Sequence, residues 1–483
     1  MAKAFTEIPA NLLVPGQYQE IDNSLAGETS EIKKVLLIGV KSKIGKAEVG
    51  KPIRIISTSK ANEDFGFGSP LAIMTDSFLQ SNKVEQLYAL ALQEPDNGVA
   101  WKKEFTVETT SIKSGTIKIL INDKSVLIKV NEDDTAEKIC ASLVAACNSL
   151  ENNPLESTVD TDEPTKFSVA SIVKGVSGNA NSVSFISQTL GVKINEGTVT
   201  EGVGFSDISK LADMLGSQRW NYIVFDFDDD ISIKILADEL ESRYSATRQI
   251  GGRAFIAISG DVKTMLEKAK KINSPHICLI PRGKDNYFLP CQWTASFAAA
   301  ACRVLADDPS ANTYDTKVKG LAQKFEYDFD TRQKLLEAGI ATWRLDPTGS
   351  VLIERLTTSY TQNADGGRDT SYLDIQVVET VDAVRSYINA EAKKRFKKWK
   401  LTSTDENFGA GAKVMTPGIW RSFLADLYQT VFIGEKNWCQ DFEGYKASIS
   451  VEVKAGNKTR LEYMHQPVLI GQFLIGAGLN QFK

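Results

Sequence analysis

The stretch Tyr222–Pro281 reads YIVFDFDDDISIKILADELESRYSATRQIGGRAFIAISGDVKTMLEKAKKINSPHICLIP. Three short apolar runs, at 222–227, 254–258 and 277–281, alternate with helical texture at 231–244 and 261–271. Each run is apolar at successive positions, so both faces of each strand must be covered. Strands separated by helices need crossover connections and therefore pair in parallel. The stretch predicts an α/β layer with a parallel sheet.

Working outward, Lys34–Val40 (KVLLIGV) reads as another strand buried on both faces, and 84–92 (VEQLYALAL) as its neighbour. Ser69 is placed to cap a helix at 69–81, with Pro70 in the first turn. Further helices are expected at 207–215, 295–307 and 332–338, the last closed by Gly339. From 101 to 202 the texture changes to short runs rich in Thr, Ser, Val and Ile. TIKILI (116–121) and SVLIKV (125–130) predict a hairpin, followed by a helix at 136–150 capped by Thr135. Past Gly366–Gly367 the pattern predicts a strand at 372–378, helices at 380–400 and 418–427, and strands at 447–453 and 459–464.

These readings define an α/β multidomain protein. An extended arm (1–25) precedes a discontinuous α/β main domain (26–100 and 203–365). A β-rich insertion domain (101–202) interrupts it. A C-terminal α+β domain (366–483) ends in a second extended arm from about 465. The 483 residues are too many for one core, which fits this division.

Composition excludes several functions. A net charge of −5 creates no basic field for nucleic acid. The two histidines, His276 and His465, are too far apart for a histidine-rich metal site. Six cysteines without a CxxC pair read as buried thiols. The N-terminus lacks a signal-peptide pattern, and the apolar stretches 295–306 and 467–479 are shorter than the roughly 20 residues a membrane span needs. A soluble chain without membrane insertion is expected.

Two stretches raise an enzymatic reading. VLLIGVKSKIGKAEVGKP (35–52) resembles a strand feeding a phosphate cradle. The cradle pattern G-x-x-x-x-G-K-[ST] fails here: Gly39 to Gly45 is one residue too long, and Ala47 offers no hydroxyl to Mg²⁺. Asp226, Asp228, Asp229 and Asp230 end a strand, where acids can hold a metal or cap the next helix, a role that suits Asp229 or Asp230. Neither G-x-S-x-G nor H-E-x-x-H occurs. The expectation is no enzyme: no catalytic residue, no cofactor and no metal site. A Mg-dependent phosphohydrolase using Asp226 and the 39–46 loop is the remote alternative.

Three features ask for partners. Phe5, Ile8, Leu12, Leu13, Val14 and Tyr18 are too apolar for a solvated tail, and Pro9 and Pro15 keep them extended. Val468, Leu469, Ile470, Phe473, Leu474 and Ile475 repeat the pattern at the other end. KKRFKKWK (393–400) carries Lys393, Lys394, Arg395, Lys397, Lys398 and Lys400 with no acid. On a helix, Phe396 and Trp399 fall on one side and can anchor it.

The order of several segments resembles the contractile tail sheath proteins of Mu-like phages. They are QWTASFAAAACRVLADDPSANTYDTKVKGL (292–321), RQKLLEAGIATWRLDPTGSVLIERLTTSYTQNADGGRDTSYLDI (332–375), VDAVRSYINAEAKKRF (381–396) and NKTRLEYMHQPVLIGQFLIGAG (457–478). KGVSGNANSVSF (174–185) and EIPANLLVPGQYQEID (7–22) extend the likeness over most of the chain, while 307–318 departs from the family pattern. The resemblance implies a structural subunit of the virion tail, assembled in the bacterial host cytoplasm as a helical stack of probably hexameric rings. It implies contraction that drives a tail tube through the host envelope. Implied partners are other copies of the chain, the tail tube protein, and baseplate and tail terminator proteins. Both arms are implied to join neighbouring subunits and the C-terminal domain to face the tube; the acid-free Lys393–Lys400 helix is expected to help grip an acidic tube. The sheath of a phage-tail-like bacteriocin or related contractile injection system is the alternative.

Overall fold

The computed structural model describes residues 33–482 except 84, 284, 285 and 410. The arm expected at 1–25, with Phe5, Ile8, Leu12, Leu13, Val14 and Tyr18, lies outside the described residues. The chain is a mixed α/β protein.

It begins with β1 (Lys34–Val40), β2 (Pro52–Arg54), α1 (Thr58–Phe65), α2 (Pro70–Ser81) and β3 (Gln86–Leu92). The Ser69 hydroxyl accepts from the Ala72 N–H with Pro70 in the first turn, as its sequence implies. The apolar segment after Pro52 is a strand only to Arg54, because Ser57 caps α1 there.

The next block holds β4 (Lys102–Thr109), β5 (Gly115–Ile121), β6 (Lys124–Val130), α3 (Ala136–Asn148), β7 (Leu155–Val159), β8 (Lys166–Ser171), β9 (Val183–Ser187) and β10 (Val192–Thr200). Two antiparallel sheets result, in orders β10-β4-β8-β7 and β6-β5-β9. The predicted hairpin pairs Ile117 with Ile128, and Thr135 caps α3 through the Lys138 N–H. Phe105, Phe167 and Phe185 meet at centroid distances of 4.9–5.4 Å inside a core separate from the rest of the chain.

The chain then forms α4 (Leu211–Leu215), β11 (Tyr222–Phe225), α5 (Asp230–Tyr244), β12 (Arg253–Gly260), α6 (Val262–Ile272), β13 (Ile277–Gly283) and α7 (Pro290–Asp307). The main sheet has the order β13-β12-β11-β1-β3-β2, parallel except for β2. Alternate residues serve opposite faces. Val35, Leu37, Tyr222, Val224 and Phe255 pack under α2 and α7, while Leu36, Ile38, Ile223, Phe225 and Ile256 pack against the layer of α4, α5 and α6. Cover on both sides is why the strands are apolar throughout. Next come β14 (Lys317–Ala322), α8 (Phe329–Glu337), β15 (Thr342–Leu345) and β16 (Ser350–Arg355), a small antiparallel sheet beside α7.

The last part corrects the sequence reading. The expected strand at 372–378 is helix: α9 runs from Ile375 to Arg395. Its β-branched start favours strand by propensity. However, Asp374 is clamped by Arg355 at 2.8 and 3.0 Å, and Ile375 and Val378 bury one helical face. Tertiary packing overrides the local preference. Beyond it lie β17 (Lys400–Leu401), β18 (Val414–Met415), α10 (Pro417–Leu427), a π-helical segment (Tyr428–Glu435), β19 (Cys439–Gln440), α11 (Phe442–Ser448), β20 (Ser450–Val453), β21 (Leu461–Met464) and β22 (Val468–Leu469). The strand expected from 447 starts only at Ser450, since α11 occupies the residues before it.

One helix joins two cores. Ile375 belongs to the main core, and Val384 and Ile388 to a C-terminal core with Leu424, Tyr428, Phe432 and Tyr445. A buried charge network fixes this joint. Arg253, fully buried, donates to Gly252 O (2.6 Å) and Val378 O (2.9 Å) and lies 3.2 Å from Glu379 Oε1. Asp382 accepts from Arg385 (2.7 Å) and Arg219, whose other nitrogen reaches Ser386 Oγ (3.0 Å). Burial alone would raise the Asp382 pKa, but Arg219, Arg253 and Arg385 outweigh it and hold it below the usual range.

His276 borders this network, 3.3 Å from Arg253 and 3.0 Å from Glu241. Burial holds its pKa below the ordinary value despite Glu241. The unfolded chain therefore binds the proton more readily. The stability from neutral His276 is complete above about pH 6.5 and is lost as pH falls toward the folded pKa. Thermal unfolding of wild type and His276→Gln at pH 7.5 and 5.5 checks this. Wild type is expected to lose midpoint temperature relative to the variant at the lower pH, and a constant difference would contradict it.

Candidate assembly surfaces

The C-terminal run starts as an integral strand. Val468–Leu469 pairs antiparallel with Cys439–Gln440, and the Tyr428 hydroxyl donates to Gln440 O (2.6 Å) while accepting from the Val468 N–H (3.0 Å). The Ile470 N–H reaches Trp438 O at 3.0 Å. After that the chain is held at two points only among the described hydrogen bonds: Gln472 donates to Ser310 O, and Asn312 to Phe473 O at 3.3 Å. No helix or strand is formed over 470–482.

The six residues singled out from sequence therefore divide. Leu469 packs on the C-terminal core, Leu474 is half-buried, and Val468 and Ile470 are about two-fifths exposed. Phe473 and Ile475 stand in solvent, 84% and 80% exposed. Leu479 and Phe482 join them, a pair the reading missed although their apolar character was the available signal. Such bare aromatic and aliphatic side chains, close together in sequence, are unusual on a chain that has finished burying its apolar surface.

The basic segment is not the continuous helix expected. α9 stops at Arg395, Lys398 takes a left-handed backbone (φ 66°), and Lys400 pairs in a strand with Val414. Only Lys393, Lys394 and Arg395 ride the helix. There they complement the negative end of its dipole. Arg395 pairs with Glu391 (2.8 Å) and Asp426 (3.3 Å), and Lys394 with Glu391 (3.7 Å). Lys393, Lys397, Lys398 and Lys400 are exposed, without a carboxylate partner among the described residues. The aromatic anchor does form. Phe396 packs 5.0 Å from Trp399, 5.0 Å from Phe423 and 5.8 Å from Trp420, so the cations project from a stiff base.

The two stretches with enzymatic possibilities have structural occupations. Lys46 pairs with Glu63 at 2.8 Å, and Lys41 donates to Gly45 O at 2.8 Å. The loop lies against the end of α1, where Ser42 and Ala47 N–H groups bond Phe65 O and Asp64 O. A Cβ at Gly45 would come within 2.5 Å of the Phe65 backbone, so this glycine serves close packing. Asp229 caps α5 through the Ser232 N–H (2.8 Å), and Asp228 pairs with Lys268 (2.8 Å). Among the described residues no cluster of three His, Cys, Asp or Glu side chains is placed to hold a metal, and no helix is long and apolar enough to cross a membrane.

Residues 201–359, from the end of the β-rich block to the end of the small sheet, match the phage tail sheath protein central domain. Over its full length the chain is 28% identical to the Mu-like prophage FluMu tail sheath protein of Haemophilus influenzae, covering 100% of both chains. It is also similar to a sheath tail protein from Desulfitobacterium hafniense (12% identity, 95% of this chain and 100% of that one, TM-score 0.48). A chain of the anti-feeding prophage baseplate is similar at 10% identity, 98% and 100% coverage and TM-score 0.48. The chain thus carries the central domain of phage tail sheath proteins and is similar along its whole length to a Mu-like prophage tail sheath protein.

Proposed function

We propose that this chain polymerises as a helical stack of hexameric rings around a tail tube, and that contraction of the stack drives the tube through the host cell envelope. The observation that carries the reading is the bare apolar stretch from Phe473 to Phe482 in a chain that carries the phage tail sheath central domain. Its polymer neighbours are other copies of itself, the tube protein, and baseplate and terminator proteins, met in the bacterial cytoplasm. Neither nucleic acid nor membrane insertion has a part, nor does a cofactor.

In this reading residues 26–100 and 203–365 form the main domain, 101–202 an outward insertion and 366–483 the tube-side domain. The arms at 1–25 and from about 465 add strands to sheets of neighbouring subunits. A backbone hydrogen bond contributes about 0.5–1.5 kcal/mol net. One added strand of roughly five residues is therefore a marginal link before the arm's ordering entropy is counted. Two arms per subunit raise the effective concentration of each further contact. Flexible links also stay paired while the bodies turn between two packings. Negative-stain microscopy of the purified protein tests the reading: striated tubes are expected, and dispersed particles at all concentrations would sink it.

The lysines at 393–400, all but Lys394 without a carboxylate partner among the described residues, supply the grip on the tube. Lys394, Lys397 and Lys398 changed together to Glu should cut co-assembly with tubes several-fold at physiological salt without lowering the thermal midpoint. Unchanged co-sedimentation would remove the basic segment from the interface.

A further inference from the structure

The main sheet contains a cavity that assembly does not explain. The strand order places β1 between β3 and β11, and the chain leaves β1 for one side of the sheet and β11 for the other. Where an open parallel sheet reverses in this way, the carboxyl ends of the strands leave a crevice, the usual ligand position in such folds. Here a cavity of about 580 Å³ opens there, lined by Val40, Asp226, Ser259, Arg282, Asn286 and Cys291 among others. That volume is in the range of small-molecule sites.

Its donors converge. Arg282 is 6% exposed and has no carboxylate partner among the described residues. Its guanidinium is held by Phe288 O (2.7 Å) and Asn286 O (2.9 Å), with Ser259 Oγ at 3.4 Å. Among the described residues its hydrogen bonds go only to neutral oxygens, with Asp228 acting on it from a distance, and a buried cation so placed is costly. Asn286 is 8% exposed. Its Oδ1 accepts from the Phe288 N–H (2.9 Å) and Gln323 (2.7 Å), which orients the amide, yet its Nδ2 has no partner among the described residues. The first turn of α7 borders the same space, and no side chain caps it.

We propose that this cavity binds a small oxyanion, a phosphate or carboxylate group, on Arg282, Asn286 Nδ2 and the start of α7. The acids on the opposite wall are otherwise engaged. Asp228 is paired with Lys268, and Asp229 caps α5. Burial, reinforced by Asp228, pushes the Asp226 carboxyl well above the usual range. Burial also lowers Arg282 to about 10, still charged at neutral pH. Lys174 at the rim adds a positive charge, while the exposed ring of Tyr287 leaves room for a ligand body beyond the anionic group.

The inference stands apart from the sheath reading and is tested on the full chain by titration calorimetry with inorganic phosphate, and separately acetate, at constant ionic strength. Wild type is expected to show one saturable site for at least one of the two ions. Asn286→Asp keeps both contacts of Oδ1 but replaces the free donor with an anionic oxygen, and should weaken binding at least tenfold. Arg282→Lys keeps the charge and loses the fork, with a smaller loss. Circular dichroism confirms that each variant is folded. No saturable heat for either ion in wild type would overturn the proposal, as would equal affinity in wild type and a folded Asn286→Asp.

Discussion

Replacing Asp382 with Ala is expected to lower the stability of the folded chain by about 3–5 kcal/mol, the range for removing one partner of a buried ion pair. Asp382 is buried between Arg219 and Arg385, within reach of the field of Arg253. Its loss removes the carboxylate that Arg219 and Arg385, each about a quarter exposed, share at the joint between the main sheet and α9, and leaves Glu379 as the carboxylate beside buried Arg253. A Cβ at Gly251 would overlap this carboxylate, so the approach of the two elements is already as close as their atoms allow. Urea unfolding of the isolated subunit measures the effect, with Asp382→Asn expected between wild type and Ala because it keeps part of the hydrogen bonding. A loss below about 1 kcal/mol for the Ala variant, typical of exposed pairs, would show that the joint is held by apolar packing alone. Because the folded pKa of Asp382 is depressed, its contribution is present above about pH 4 and lost as pH falls through the folded value.

Ending the chain after Gln472 should abolish tube formation while leaving the subunit folded. The deleted residues include Phe473, Ile475, Leu479 and Phe482, which bury little against their own chain, and a single 3.3 Å hydrogen bond from Asn312. Stability should therefore change by only about 0.5 kcal/mol, the usual scale for surface changes. The paired segment Val468–Ile470 and its Tyr428 anchor are retained. Sedimentation and negative-stain microscopy read assembly, and urea unfolding reads the fold. Normal striated tubes from the truncated chain would show that this end has no part in joining subunits. A large loss of stability would show that the tail belongs to its own subunit's core.

The parallel strands were legible because each carries its own evidence. Runs such as KVLLIGV and ICLIP are apolar at successive positions, and only cover on both faces makes that favourable. Caps at Ser69, Thr135 and Asp229 were equally readable, since the side chain and the N–H it accepts from are three residues apart. The start of α9 was not. Its β-branched residues were read as strand, and the Arg355–Asp374 clamp that opens the helix joins segments whose meeting no local pattern records.

The surfaces divide in the same way. The chain's two apolar ends and the acid-free run KKRFKKWK are matters of composition, visible in any conformation. Tertiary structure decided that the basic run breaks after Arg395, with Phe396 turned onto the C-terminal core and four lysines left without a carboxylate partner among the described residues. It also decided that Arg253, an arginine opening an apolar strand after two glycines, finds its partners on α9. Fully buried at the head of GGRAFIAI, that charge needs a partner. The partner itself, 125 residues away at Val378 and next to it at Glu379, depends on how separate elements pack. Sequence determines what must be covered, because hydrophobic pattern and buried charge are local properties. Only the packed structure determines what covers it, because those contacts form between segments far apart along the chain.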